Sequence, residues 1–301
     1  MVSSALSANR ALATLDWVVS HTGESFTLSE LSRAIGVNVP SLMSVLKSLT
    51  DAGYLIRHPE DKSFEPGPAL LAVGLVTSAQ HRSFERLGEE LKQLSDTVEI
   101  ECFATVAVGD QTVVVAEAGR PSSYSPAIRV GFRHPFMAPI GHAHIAWDSP
   151  AEIEDWIKRA EYGDYKLNRD EINEELAITR AQGFAVVRYK NVDFRPSTAL
   201  ETLAERPRDR KRHDAVKAAV ANFSSNLKFV QPKAGRQYES LNISAPVFSP
   251  QGKVLMSAVI NGVPRVDGRD VLAHAERLLQ MTRLLTKFGG GQPPKEARRN
   301  R

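Results

Sequence analysis

A nucleophilic thiol beside an imidazole base is the first chemistry the chain invites, because its single cysteine, Cys102, could be served by His142 or His144. The local pattern argues against it. In ECFATVAV (101–108) the residues Cys102, Ala104 and Val106 alternate with Phe103, Thr105 and Ala107, the mark of a packed strand and an inert thiol. HAH (142–144) with His134 could instead hold a metal ion. Such sites need ligands fixed by partners of their own, and usually a carboxylate or thiolate close by. No local spacing brings Glu99, Glu101 or Glu117 to these histidines. The glycine patterns of phosphate-cradling and dinucleotide-binding loops are missing too. The expectation is no catalytic residue, no metal site, no cofactor and no enzyme.

Hydrogen bonding to nucleic acid is the chemistry that survives. In TLSELSRAIGVNVPSLMSVLKSLTDAGYL (27–55), Thr27 and Glu30 make a capping box, Leu28, Leu31 and Ile35 face inward, and Gly36 stops the helix. After a short turn, Leu42, Val45, Leu46 and Leu49 form a second apolar stripe that ends at Gly53. Two helices so joined are a helix-turn-helix pattern. YLIRH (54–58) and KSFEP (62–66) around PED (59–61) read as a wing. Helix 38–52 would then present Val39, Pro40, Ser41, Met43, Ser44 and Lys47 to double-stranded operator DNA, with Arg33, Arg57, His58 and Lys62 left for phosphates. Pro40 suits a first helical turn, where a missing N–H costs little.

Charge works against this unit. Residues 1–80 hold five bases (Arg10, Arg33, Lys47, Arg57, Lys62) against seven acids (Asp16, Glu24, Glu30, Asp51, Glu60, Asp61, Glu65), although the whole chain carries +3. The electrostatic attraction that dominates non-specific DNA affinity is therefore weak. Two or four copies would have to link poor half-sites into a useful one, so a homodimer or homotetramer is expected.

Four segments position these residues. Residues 9–65 are helical and end in the hairpin, 67–96 form a helical connector, 98–262 mix strands with helices, and 267–288 make a long helix. Further strands are expected at TVVVAEAG (112–119), IRVG (128–131), SLNISAPVF (240–248) and KVLMSAVING (253–262), with capped helices at 148–160 and 168–183. The connector's Leu70, Leu71, Val73 and Leu75 are too apolar for a free linker. Hydrophobic and charged contents of 42% and 24% suit globular domains. With one cysteine, no leader pattern and no apolar run near ~18 residues, a soluble cytoplasmic protein without a membrane segment is expected. The basic run RPRDRKRH (206–213) reads as a solvated face.

The order of these pieces resembles the IclR family of bacterial transcriptional regulators, from about Asn9 to about Phe288. The motifs that carry the resemblance are residues 27–55 with FEPGPALLAVG (64–74), then RVGFRHPF (129–136), RAQGFAV (180–186) and ISAPVFSPQGKVLMSAVING (243–262). It implies an α+β chain: a winged helix-turn-helix over 1–66, a helical linker over 67–96, and a GAF-like effector-binding domain over 97–288. A polar insertion near 195–236 and a disordered tail at 289–301 complete the reading. The stretch PFMAPIGHAHIAW (135–147) is one residue shorter than the family's, with Met137 for a His and His142 for a Lys. The resemblance places effector contacts at Met137, Gly141, His142, Val187, Asn242, Val259 and Asn261, and the departures imply a less polar pocket for a larger or more apolar ligand. A carboxylate effector would be paired by Arg129 or Arg133. The competing reading is an enzyme or protein-interaction module in which the helical unit serves only dimerisation.

Overall fold

Three short helices pack around one apolar centre because each carries its apolar residues at helical spacing. They are α1 (Leu6–Ser20), α2 (Leu28–Ile35) and α3 (Val39–Asp51), followed by strands β1 (Leu55–Arg57) and β2 (Phe64–Pro66). The computed structural model describes residues 5–21, 23–121, 128–161, 166–189 and 227–294. Val18, Leu31, Leu42, Val45, Leu46, Leu49, Leu55 and Phe64 form the centre. Thr27 and Glu30 close a reciprocal capping box, and Gly36 ends α2 in the left-handed conformation at φ 72°. Leu12 lies on the exposed side of α1 instead of the centre.

The connector is two helices, α4 (Pro68–Gln80) and α5 (Arg82–Val98), broken where His81 turns extended. Gly67 starts α4 hard against the Gly53 carbonyl, where a Cβ would sit 2.2 Å from the oxygen. Only glycine fits that crossing.

Beyond α5 lies a seven-stranded antiparallel sheet in the order β5-β4-β3-β10-β9-β6-β7. Its strands are β3 (Cys102–Val108), β4 (Gln111–Ala118), β5 (Arg133–Pro135), β6 (Ala185–Tyr189), β7 (Leu227–Phe229), β9 (Leu241–Phe248) and β10 (Val254–Val263). β8 (Gln237–Tyr238) pairs separately with β11 (Val266–Asp267). Period-two alternation gives the sheet two apolar faces. Cys102, Ala104, Ile243, Ala245, Met256, Ala258 and Ile260 pack under α5 and α9 (Gly268–Phe288). On the other side α6 (His142–Ile145), α7 (Pro150–Ala160) and α8 (Arg169–Gln182) build a second centre around Trp156, Ile157, Ile172 and Leu176.

Three expectations need correction. IRVG (128–131) is not a strand: Gly131 sits at φ 86° and the Phe132 N–H bonds back to the Arg129 carbonyl, so the chain turns before pairing as β5. The tail is ordered at its start, since the Gly291 and Gln292 N–H groups donate to Thr286 and Ser249 carbonyls. The polar insertion ends in structure as well, because Leu227–Phe229 forms an edge strand against β6. The runs at 206–213, 215–223 and 295–301 lie outside the described residues. Among the described residues, no helix is long and apolar enough to cross a membrane.

Candidate DNA-reading helix and effector cavity

α3 separates cleanly into two sides. Leu42, Val45, Leu46 and Leu49 are buried, whereas Val39, Pro40, Met43, Ser44, Lys47 and Ser48 face solvent and Ser41 is half-buried. Ser48 belongs to this face and was absent from the sequence reading. Asn38 caps the helix by accepting the Ser41 N–H at 3.0 Å. Pro40 has no N–H, so the first turn offers a phosphate little more than the N–H of Val39. The cations around it are already engaged. Lys47 pairs with Asp51 at 2.5 Å, His58 with Glu65 at 3.1 Å, Lys62 donates to the Pro59 carbonyl, and the Arg57 guanidinium stacks on Phe64. Arg33 is exposed at the end of α2.

The second site lies on the face of the sheet opposite α5 and α9. A cavity of about 110 Å³ is lined by Phe103 and Thr105 of β3, Thr112 of β4, His134 of β5, Val187 of β6 and Leu227 of β7. β9 adds Asn242 and Ser244, and β10 adds Ser257, Val259 and Asn261. Ile128, Phe132 and the Pro139–His142 turn, with His144, close it. Each strand contributes alternate residues, which is why the lining reads as every second position.

Three imidazoles enter this lining. His144 Nε2 lies 3.2 Å from Thr105 Oγ1, and His134 has Thr112 Oγ1 within hydrogen-bonding distance. Burial pushes both rings down to about 4, with His134 lowering His144 further. Both are neutral at physiological pH. His142 is tied by Nδ1 to the Pro139 carbonyl at 2.7 Å and by Nε2 to Glu175 at 3.0 Å, between Trp156 and Phe229. Asn261 donates to the buried Glu101 carboxylate at 2.6 Å. Cys102 faces the other side of the sheet, and burial, then Glu101, pushes its thiol up to about 12. A thiolate–imidazole pair is geometrically ruled out there. Among the described residues, no group of three His, Cys, Asp or Glu side chains is placed to hold a metal ion.

The cavity wall also reaches the helical unit. Phe132 and His134 line the cavity, while the alternate residues point away. Gly131 packs on Val19 of α1, where a Cβ would meet its backbone at 2.7 Å, and Arg133 pairs with Asp16 of α1 at 2.8 Å.

No family model matches the chain. The HTH-type transcriptional regulator XynR of Escherichia coli (strain K12) is 25% identical over 185 residues, covering 60% of this chain and 73% of that protein. An IclR-type transcriptional regulator from Alicyclobacillus acidocaldarius matches in structure with a TM-score of 0.64 at 17% identity, covering 96% of this chain and 100% of that one. An IclR homolog from Microbacterium hydrocarbonoxydans, complexed with 4-hydroxybenzoate, matches with a TM-score of 0.61 at 14% identity, over 94% and 98% of the two chains. The chain has the IclR fold.

Within the IclR fold the expected effector contacts divide. Gly141, His142, Val187, Asn242, Val259 and Asn261 all line the cavity. Met137 does not: the turn in which its carbonyl accepts the Ile140 N–H leaves its side chain in the second centre with Trp156. Arg129 and Arg133 also fall outside the lining. Arg129 sits 3.8 Å from Glu117 at the surface, and Arg133 is held by Asp16. The residues the sequence reading missed include Phe103, Thr105, His134, His144, Ser244 and Ser257. For those on strands the signal was the alternation itself, extended from Val259 and Asn261; His144 lies on α6 and carried no such signal.

Proposed function

We propose that this chain is a ligand-responsive transcriptional regulator, cytoplasmic and homo-oligomeric, that reads double-stranded operator DNA with α3 and holds a small organic effector in the sheet cavity. The observation that carries the reading is the two-sided α3. Its apolar stripe is fully used inside the winged unit, yet Val39 and Met43 remain exposed beside Ser44, at 40% and 54% of their free surface for the two apolar residues. Apolar contact with thymine methyl groups and serine hydrogen bonds suit such a face. An electrophoretic shift of the full-length protein on the DNA upstream of its own gene tests it, with retention at nanomolar protein expected. Retention no stronger than on unrelated DNA would refute it.

Oligomerisation is supported by α4. The helix is apolar from Pro68 to Val76 and buries none of its residues, with Leu71 and Leu75, one turn apart, exposed to 66% and 62%. An all-apolar helix needs a cover, and a second copy supplies the same surface. Leu71→Asp with Leu75→Asp is expected to give a smaller species by light scattering and to weaken operator binding at least tenfold. An unchanged assembly would place the interface elsewhere.

Residues 131–134 offer the route from ligand to DNA, since they alternate between the cavity and α1. Asp16→Asn is expected to leave ligand affinity within threefold while reducing the ligand's effect on operator binding about fivefold or more, the lower range of allosteric coupling. Full coupling in that variant would exclude this contact as the route.

A further inference from the structure

Resting on the cavity reading above, we propose that the effector is an uncharged molecule about the size of one ring, carrying a hydroxyl, carbonyl or carboxamide, and not an organic acid. Size comes first. The cavity encloses about 110 Å³. An apolar cavity of ~150 Å³ accepts benzene in an engineered protein. This cavity is smaller than that one, so a single ring with small polar substituents is its upper limit, and a fused-ring or sterol-like skeleton does not fit.

The character of the wall decides the charge. Its polar side chains are the hydroxyls of Thr105, Thr112, Ser244 and Ser257, the carboxamides of Asn242 and Asn261, and imidazoles. Two of those rings are neutral because burial makes protonation costly. Two carboxylates stand directly behind the wall: Glu101 accepts from Asn261 and Glu175 is bonded to His142. Arg129 and Arg133, which flank the lining residues Ile128, Phe132 and His134, are turned outward to Glu117 and Asp16. A carboxylate entering this space would lose its hydration while meeting hydroxyls, carboxamides and two neutral imidazoles, and the third ring, His142, is already bonded to Glu175. Burying a charge without a counter-charge of its own is strongly unfavourable. A neutral hydroxyl or carboxamide can both donate and accept, which matches hydroxyls and imidazoles that do the same. The apolar remainder, with Phe103, Ile128, Phe132 and Val259, covers the ring faces.

Isosteric pairs test this on the full-length protein by isothermal titration at pH 7.5: 4-hydroxybenzamide against 4-hydroxybenzoate, and benzyl alcohol against benzoate. The uncharged member of each pair is expected to bind at least tenfold more tightly. Equal or tighter binding of the acids would overturn the charge assignment. Failure of all four to bind would overturn the assignment of ligand class. The regulator reading would stand or fall separately, on operator retention without ligand. Location is tested with Val259→Trp, which should abolish binding of the uncharged compounds. Should that variant fail to fold, Ser257→Leu replaces one polar wall group with an apolar one and is expected to weaken binding at least fivefold. Binding unaffected by a folded variant would place the ligand outside this cavity.

Discussion

Ser44→Glu is expected to weaken the specific operator complex at least 100-fold while leaving the fold intact. Ser44 stands on the exposed side of α3, off the Leu42, Val45, Leu46 and Leu49 stripe, and its carbonyl accepts the Ser48 hydroxyl at 3.1 Å. Glutamate is a good helix former, so the helix itself has no reason to melt. In the complex, however, its charge would face phosphates and base acceptors, in a unit that already carries more acids than bases. The unit has little to spare, because Lys47, His58 and Lys62 are each held by groups of their own chain. Ser44→Ala removes one hydrogen bond without adding charge and is expected to cost about tenfold, near the lower end of the ~1–3 kcal/mol that a bidentate base contact supplies. Circular dichroism melts establish folding, and electrophoretic shifts give the affinities. A folded Ser44→Glu protein with wild-type affinity would mean that another surface reads the DNA.

That helix was legible in the sequence because every signal for it is local. The Thr27–Glu30 box, the turn at Gly36, Pro40 in the first turn and the four-residue stripe all act within one or two turns. The sheet was legible for a similar reason, since β3, β4, β9 and β10 are apolar-rich runs that meet at short turns. What sequence could not supply was the destination of side chains whose partners are distant. Arg133 reads as an effector cation until its partner is seen to be Asp16, 117 residues away on another element. Met137 stands next to cavity-lining residues in sequence, but one turn sends it to the other side of Pro139 and into the second centre. From sequence His134 and His144 read as metal ligands or as surface or pocket groups. Their neutrality follows from burial that only the closed sheet creates.

That burial has a measurable consequence in mild acid. His134 and His144 are held at about 4 chiefly by desolvation, against an ordinary value of 6.5. Between those values the unfolded chain takes up protons that the folded chain refuses, so stability rises with pH across the interval. The contribution is intact above about pH 6.5, falls as pH drops through the window, and stops falling below about 4, where both states are protonated. At pH 5 the pair together costs up to about 4 kcal/mol relative to pH 7.5. Their mutual repulsion makes them titrate as a pair, so the loss is shared and not separable by residue. Against a total stability of ~5–15 kcal/mol this is a large fraction. His274 on α9, also lowered by burial, adds in the same direction. Carboxylates held low by hydrogen bonds, such as Glu30, Asp61 and Asp267, act only below the ordinary carboxylate range. Urea unfolding at pH 7.5 and 5.0 is expected to show a midpoint loss that is mostly removed in His134→Gln/His144→Gln, since glutamine can still bond Thr112 and Thr105 without titrating. A wild-type midpoint that does not move between these pH values, or an equal loss in the folded double variant, would show that the imidazoles are not held neutral against the cavity.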